Sequence, residues 1–324
     1  MKTYIVTGGA GFIGSHLVDR LLSDGHKVVV IDDFSLGKKE NLRQHPMLTI
    51  YKRSVTDDLR RILKKHLPIA AVFHEAALPR VQFSIAHPWE SHVANADGTL
   101  NMLMIAKDLG IKRFVFASSS SVYGDQKIPL HEAMVPKPIS PYALQKYVGE
   151  HYCRLFHTLY GLETISLRYF NVYGPRQNPD GAYAGQIPKF FDKLLNGIVP
   201  VINGDGEQTR DNTYVGDVVE ANILAALYPS RPPLYVKGEV KEGNSPFGDF
   251  FNIGGGHNHS VNQTTELILN LTGATIRPIH GPAVVEPKNT LADISKAKSV
   301  LGWEPKIDFI EGLKETYKYF TVSQ

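Results

Sequence analysis

A single cysteine, Cys153, stands among the 324 residues, which excludes an internal disulfide and any thiolate zinc site. Basic residues do not gather into runs and the net charge is only +3, so nucleic acid is not an implied partner. Long apolar runs are missing as well; stretches such as Val28–Ile31 have strand length, far short of a membrane span. There is no internal repeat and no low-complexity segment. The 13 histidines form no ligand set: His257 and His259 flank Asn258 without a third ligand in register, so a solvated loop is expected there and no metal. The first strand begins almost at Met1 with no targeting segment before it, and the expected location is cytoplasmic. What is present, 43% apolar and 21% charged residues, is the balance of an ordinary globular protein. The length suits one elaborated domain or two intimate ones.

Strand and helix patterns alternate through the first half. Strands are predicted at Tyr4–Val6, Val28–Ile31, Leu48–Lys52, Ala71–His74, Arg113–Ala117 and Thr164–Tyr169. Helical patterns between them include Gly14–Ser23, Asp57–His66, Trp89–Leu109 and Pro141–Tyr160. This alternation predicts an α/β fold, a Rossmann-type doubly wound parallel sheet, with ligands beyond the C-terminal strand ends. From Asn171 onward proline and glycine become frequent and strands short, which suits a smaller C-terminal lobe. Phe250–Ile253 reads as a strand returning to the sheet. The expected division assigns residues 1–170, with returning segments near 209–228 and 250–256, to the sheet domain. Residues 171–208, 229–249 and 257–324 then form the lobe, with 229–249 as a long surface excursion.

Residues 3–16 read Thr-Tyr-Ile-Val-Thr-Gly-Gly-Ala-Gly-Phe-Ile-Gly-Ser-His. A short apolar strand runs into Gly8, Gly11 and Gly14, with Phe12 and Ile13 inside the turn. The chain must bend sharply here, admit a pyrophosphate to its amides and pack a new helix on the strand; a Cβ obstructs each step. The helix N-terminus then offers unpaired N–H groups and a positive dipole end to phosphates. A second strand ends in Asp32, close to the roughly 20-residue offset at which a carboxylate takes a ribose 2′-hydroxyl. Asp33 beside it repels a 2′-phosphate and no arginine follows at once, so NAD is favoured over its phosphorylated form.

Ser140-Pro141-Tyr142-Ala143-Leu144-Gln145-Lys146 supplies an N-cap serine, a proline at the first helical position, then tyrosine and lysine four apart. That spacing puts phenol and ammonium on one helix face. The cation favours tyrosinate and a positive nicotinamide ring adds to it, turning a phenol of pKa about 10 into a base near neutral pH. Upstream, Phe114–Ala117 reads as a buried strand ending in Ser118-Ser119-Ser120-Ser121-Val122-Tyr123-Gly124. Hydroxyls at that strand end face the cofactor, although two of the four serines are expected only to make turns.

The same chain carries Leu167-Arg168-Tyr169-Phe170-Asn171-Val172-Tyr173-Gly174-Pro175-Arg176, Gly204–Asp211, Tyr214–Val218, and Leu291–Ala297 before Leu301-Gly302-Trp303. With these motifs in one order, it resembles over nearly its whole length the extended short-chain dehydrogenase/reductase family. Within that family it is most similar to nucleotide-sugar 4-epimerases of the UDP-glucose and UDP-N-acetylglucosamine type. The resemblance implies Ser119, Tyr142 and Lys146 as catalytic residues. Tyr142 would take the C4 hydroxyl proton while hydride passes to NAD, with Ser119 relaying or stabilising the proton. The 4-keto sugar would turn over in the site and hydride return to its other face.

Cofactor contacts are implied at Gly8, Gly11, Phe12, Ile13, Gly14, Asp32, Asp33, Ser54, Val55, Ala76, Asn95, Tyr142 and Lys146. UDP-sugar contacts are implied at Ser84, Ser119, Tyr142, Asn171, Gln186, Ile187, Val201, Arg210, Glu286 and Thr290, with Arg210 a charge-assisted donor to the pyrophosphate. His74-Glu75-Ala76-Ala77 is expected on the nicotinamide side, with an ordinary core histidine as the alternative for His74. Arg168 and Arg176 are expected to be interior or loop ion partners. The helices Trp89–Leu109 and Pro141–Tyr160 match those that pair subunits in relatives, so a homodimer is expected.

Two serines, Ser120 and Ser121, stand where 4,6-dehydratases of the family carry Asp-Glu and where decarboxylating relatives carry Glu before the valine. They offer neither acid nor base, so epimerisation ranks above both. Small Thr290, where a tyrosine excludes a 2-acetamido group, and the segment Asn178–Lys189 imply that UDP-GlcNAc and UDP-GalNAc are accepted beside UDP-Glc and UDP-Gal. There are also departures from the family pattern. Arg53-Ser54-Val55-Thr56-Asp57 replaces the usual Gly-Asp, leaving adenine to the Ser54 hydroxyl, its backbone or Asp57. Pro282-Ala283-Val284-Val285 stands where relatives tend to carry a diphosphate arginine, so Lys288 or Arg80 substitutes or UDP affinity is reduced. A UDP-glucuronate 4-epimerase, which shares the four-serine run, is one alternative. A non-catalytic nucleotide-binding member is the other, although it would have no need of an intact trio.

Overall fold

A computed structural model describes residues 1–79, 81–180, 185–230, 234–236, 239–241, 245–284 and 286–322. Its centre is one sheet of seven strands: β1 (Thr3–Thr7), β2 (Lys27–Asp32), β3 (Leu48–Lys52), β4 (Ile69–His74), β5 (Arg113–Ser119), β6 (Glu163–Tyr169) and β7 (Asp249–Ile253). The spatial order is β7-β6-β5-β4-β1-β2-β3, and every pairing is parallel. The predicted strands are all present, and the observed ends lie within two residues of the sequence reading. Order reverses direction around β1, so the crevice for a ligand opens at the C-terminal ends of β1 and β4.

Successive side chains of a strand point to opposite faces. Val28 and Val30 therefore join one apolar cluster, with Leu17, Val18 and Leu21 of the helix Phe12–Ser23. Val29 and Ile31 join the other, with Met102, Phe114 and Phe116. Helices on both faces leave the inner strands buried throughout, which explains their continuous apolar runs.

The helix predicted at Asp57–His66 shrinks to one α-helical turn, Arg60–Leu63, followed by a 3₁₀ turn, Lys64–His66. Its expected first residues are held in a turn instead: Ser54 N–H donates to Asp57 Oδ2 and Arg60 N–H to Asp58 Oδ1, each at 3.2 Å. Short acids compete for nearby amides in this way. Pro88–His92, a π-helical turn Val93–Asp97 and Gly98–Asp108 run on from one another where one helix was predicted. The helix Pro141–Tyr160 starts and stops as its sequence dictates. Ser140 Oγ accepts the Ala143 N–H at 3.2 Å, and Gly161 closes the C-terminus at φ 68°, the left-handed conformation that glycine adopts without strain.

Beyond β6 the chain builds short strand pairs, Val201–Asn203 with Ile279–Gly281 and Thr209–Asp211 with Asn258–Ser260. The helices Gln186–Leu195, Val261–Thr272 and Phe309–Val322 contribute to a third apolar cluster that includes Ile187, Phe190, Phe191, Ile268, Leu269 and Leu313. By contrast, Val218, Val219 and Ala221 of the helix Val215–Leu227 join the first sheet cluster. Among the described residues, no helix is long and apolar enough to cross a membrane.

Candidate active site

A cavity of about 1160 Å³ opens along the C-terminal strand ends, lined by residues of both the sheet and the segments after it. It exceeds the volume usual for one small ligand, roughly 300–1,000 Å³, and its two ends differ chemically.

The glycine turn forms one end. Gly8 sits at φ +67°, and a Cβ there would lie 2.7 Å from the Ala76 nitrogen; one on Gly14 would overlap the Gly8 carbonyl. The helix Phe12–Ser23 begins at Gly11 without a side-chain cap, which leaves the first-turn amides of Phe12, Ile13 and Gly14 to whatever enters. Asp32 lies on the same wall with Asp33, Ser54, Val55 and Ala76. Its carboxylate accepts from Ala10 N–H at 2.9 Å and Phe34 N–H at 2.8 Å. Burial raises the Asp32 pKa, with those two bonds opposing.

The middle of the cavity holds Ser119, Tyr142 and Lys146 together. Ser119 ends β5, and its side chain hydrogen-bonds with that of Tyr142. Lys146, one helical turn on from Tyr142, donates from Nζ to Ala117 O at 2.7 Å and stands 5.9 Å from the Tyr142 ring centre. Tyr142 does not have the lowered pKa expected from its neighbouring cation. Burial pushes it up to about 12, the Ser119 bond opposes this and Glu75 adds to it. The physical reason is that desolvation exceeds the attraction of an ammonium turned toward a carbonyl. Burial likewise lowers Lys146 to about 8, with the charge of Glu75 the largest opposing influence. Of the other serines, Ser118 donates to Glu150, while Ser120 and Ser121 line the cavity.

The far end carries Asn171, Gln186, Ile187, Val201, Arg210, Glu286 and Thr290, all on the wall. Arg210 Nη2 and Glu286 Oε1 pair at 2.7 Å. Thr290 is buried, and its Oγ1 accepts from Asn171 Nδ2 and from Asp211 N–H, both at 3.1 Å. Lys189 and Lys193, which the sequence did not nominate, also reach this wall. Lys288 instead makes backbone bonds, its carbonyl accepting from Arg210. Arg80, residues 181–184 and Val285, which entered the sequence argument, lie outside the described residues.

Two of the residues implied by the resemblance lie behind the wall in this structure, and a third takes the core alternative given for it. Ser84 is fully buried and off the wall; its Oγ accepts Tyr142 N–H and donates to Val81 O. Asn95 is buried too, fastening the loop after β4 by a two-way pairing with Leu78, Oδ1 to N–H at 2.8 Å and Nδ2 to O at 3.1 Å. Polar groups so enclosed must find protein partners, and here the partners Tyr142, Val81 and Leu78 line the cavity, so Ser84 and Asn95 brace its wall from behind. His74 takes its core alternative, between Thr7 Oγ1 at 2.8 Å and Thr99 Oγ1 at 3.1 Å; burial lowers it to about 3, so it is neutral. Its neighbours Glu75, Ala76 and Ala77 do reach the cavity. Arg168 and Arg176 are the expected ion partners, of Glu150 and Asp19. Among the described residues, no group of three or more His, Cys, Asp or Glu is placed to hold a metal.

The model of the NAD dependent epimerase/dehydratase family matches residues 4–237. The UDP-glucose 4-epimerase of Mycolicibacterium smegmatis is 37% identical over 327 residues, covering 99% of this chain and 98% of that protein. Among solved structures, Thermotoga maritima UDP-glucose 4-epimerase with UDP-glucose superposes with a TM-score of 0.90 at 39% identity, covering 99% of each chain. The Methanobrevibacter ruminantium UDP-N-acetylglucosamine 4-epimerase in complex with UDP-N-acetylmuramic acid gives 0.90 at 40% identity, covering 100% of this chain and 99% of that one.

Proposed function

The chain belongs to the NAD dependent epimerase/dehydratase family, and from that premise we propose that it is a UDP-sugar 4-epimerase acting through Ser119, Tyr142 and Lys146. The observation that carries the reading is that this trio shares one cavity with the glycine turn, while the two positions after Ser119 hold only serines. A dehydratase or decarboxylase needs an acid there.

The cofactor is NAD, and the residues present fit it. The turn at Gly8 and Gly14 has no room for a Cβ, and free helix amides suit the pyrophosphate. Asp32 suits a ribose hydroxyl. When bound in this cavity, NAD would supply the hydride acceptor and donor of the reaction. As phenolate, Tyr142 would take the C4 hydroxyl proton, becoming the phenol, and would return that proton to the C4 oxygen once hydride has come back to the other face of the sugar. Ser119, beside Tyr142 on the cavity wall, would relay or stabilise that proton. Lys146 is the cation of the same helix face that would lower the cost of the phenolate. Arg210 meets the diphosphate, and Glu286, its partner, keeps the guanidinium turned to the cavity.

The hexose must turn over inside the site, so binding energy belongs on the UDP and not on the sugar. Thr290 leaves space for a 2-acetamido group, which favours UDP-GlcNAc and UDP-GalNAc beside UDP-Glc and UDP-Gal. A second reading, 4-epimerisation of UDP-glucuronate, draws on the run Ser118–Gly124. The active unit in this reading is a homodimer joined through the helix Pro141–Tyr160 and the helical run from Pro88 to Asp108.

The deciding experiment is overnight incubation with UDP-GlcNAc, UDP-Glc and UDP-glucuronate separately, read by proton NMR. Appearance of the galacto-configured partner without added NAD supports the reading and ranks the substrates. No change in any of them, with NAD supplied, overturns it.

A further inference from the structure

Glu75 is a carboxyl group in this centre that the reaction above leaves without a task. It follows β4 directly and shares the cavity wall with Ser119, Tyr142, Lys146 and Tyr169. Its charge is held in place: Tyr169 donates from its phenol to Glu75 Oε1 at 2.9 Å, and Asn222 Nδ2 donates to that phenol oxygen at 2.7 Å. Tyr169 and Asn222 are both buried, so the relay Asn222–Tyr169–Glu75 fixes the carboxyl from beneath. The charged and titratable groups that act on it are Lys146 and Tyr142 from the helix Pro141–Tyr160, and Tyr169 from β6. His74, the preceding residue, is neutral.

A carboxylate at this point acts on three things through a chamber of low dielectric. It supports the ammonium of Lys146, it opposes ionisation of Tyr142, and it attracts positive charge on a ring lying beside Tyr142. The oxidised nicotinamide ring carries such a charge and the reduced ring does not. Resting on the reading of this cavity as an NAD site, we propose that Glu75 is a positioning residue that sets the charge of the centre, holding Lys146 as ammonium and favouring oxidised over reduced dinucleotide. An epimerase has use for this bias. Its turnover carries no net oxidation, so a cofactor left reduced after loss of the keto sugar is a dead end. Burial pushes Glu75 up to about 7, with the Tyr169 bond and Lys146 opposing, so the bias strengthens as pH rises through neutrality.

The test compares the holoenzyme with E75Q, which keeps the shape and removes the charge. Each is equilibrated to completion with an equimolar mixture of NAD and NADH and freed of unbound nucleotide. The reduced fraction is then read from the absorbance of the reduced ring. E75Q is expected to hold NADH relative to NAD about tenfold more than the unaltered protein, and E75D to restore the ratio in part. The kcat–pH profile of E75Q is expected to move to lower pH, because loss of a nearby negative charge makes neighbouring groups release protons more easily. If E75Q does not fold, Y169F, which withdraws the donor that steadies the carboxylate, is expected to shift the ratio in the same direction. An unchanged ratio with an unmoved profile overturns the proposal, whatever the fall in kcat. A protein that takes up neither dinucleotide overturns the NAD reading and the proposal with it.

Discussion

Ser84 Oγ accepts the amide hydrogen of Tyr142 at 3.0 Å across 58 residues of chain. One of the donors that a helix start leaves unpaired is thus satisfied by a side chain of the separate helix Val81–Ala86, while Ser140 takes the next, at Ala143. The first turn beneath the Tyr142 phenol is clamped from two directions.

S84A leaves that buried amide without an acceptor, at a cost of about 1–2 kcal/mol in stability. It also loosens the phenol, so kcat is expected to fall about tenfold while KM for the UDP-sugar stays within about twofold. Steady-state kinetics beside thermal denaturation check this; a raised KM with unchanged kcat would return Ser84 to the substrate contacts.

Lys146 has a folded pKa of about 8, below its ordinary 10.5. The ammonium is therefore present below that pH and lost as pH rises through it. A fall of kcat/KM on the alkaline side is expected from about pH 8. K146R, which stays charged, should move that limb upward, and K146M should reduce kcat about a hundredfold or more at every pH. An alkaline limb that K146R leaves in place would assign it to another group.

T290Y puts a large ring where a small hydroxyl now accepts from Asn171 and Asp211. The ratio of kcat/KM for UDP-GlcNAc to that for UDP-Glc is expected to drop at least about tenfold. Equal losses on both substrates would mean that Thr290 only packs its loop.

The helix Pro141–Tyr160 exposes Leu155 at 49% and Leu159 at 65%, and Trp89 of the helix Pro88–His92 is 74% exposed. Leu155 and Leu159 lie one turn apart on a single stripe, an unusual outlay of apolar surface for a monomer. Light scattering at micromolar concentration is expected to give twice the chain mass, and L155E/L159E the chain mass alone. A monomeric parent protein would remove the dimer from the reading.

Much of the dinucleotide end was legible because its causes are local. A strand, a turn that excludes Cβ atoms and an uncapped helix start follow from neighbouring residues, and the structure places Gly8, Gly11, Gly14 and Asp32 on one wall accordingly. Ser140-Pro141 and Gly161 bound their helix for the same reason. Where local signals compete, as at Asp57 and Asp58, the sequence reading lengthened a helix that the acids in fact delay.

By itself, then, the sequence determined the order of strands and helices, the glycine turn, and which segment supplies the Tyr–Lys pair. Tertiary structure alone decided what surrounds that pair. Ser84 braces the Tyr142 amide, Asn95 fastens the loop after β4, His74 lies in the core, and Arg210 pairs with Glu286. Glu75 met Tyr169 across 94 residues. Proton affinities belong to that second group, since burial raises Tyr142 and lowers Lys146. The spacing of two residues along a helix fixes their shared face, whereas the water they lose depends on every element that folds over them.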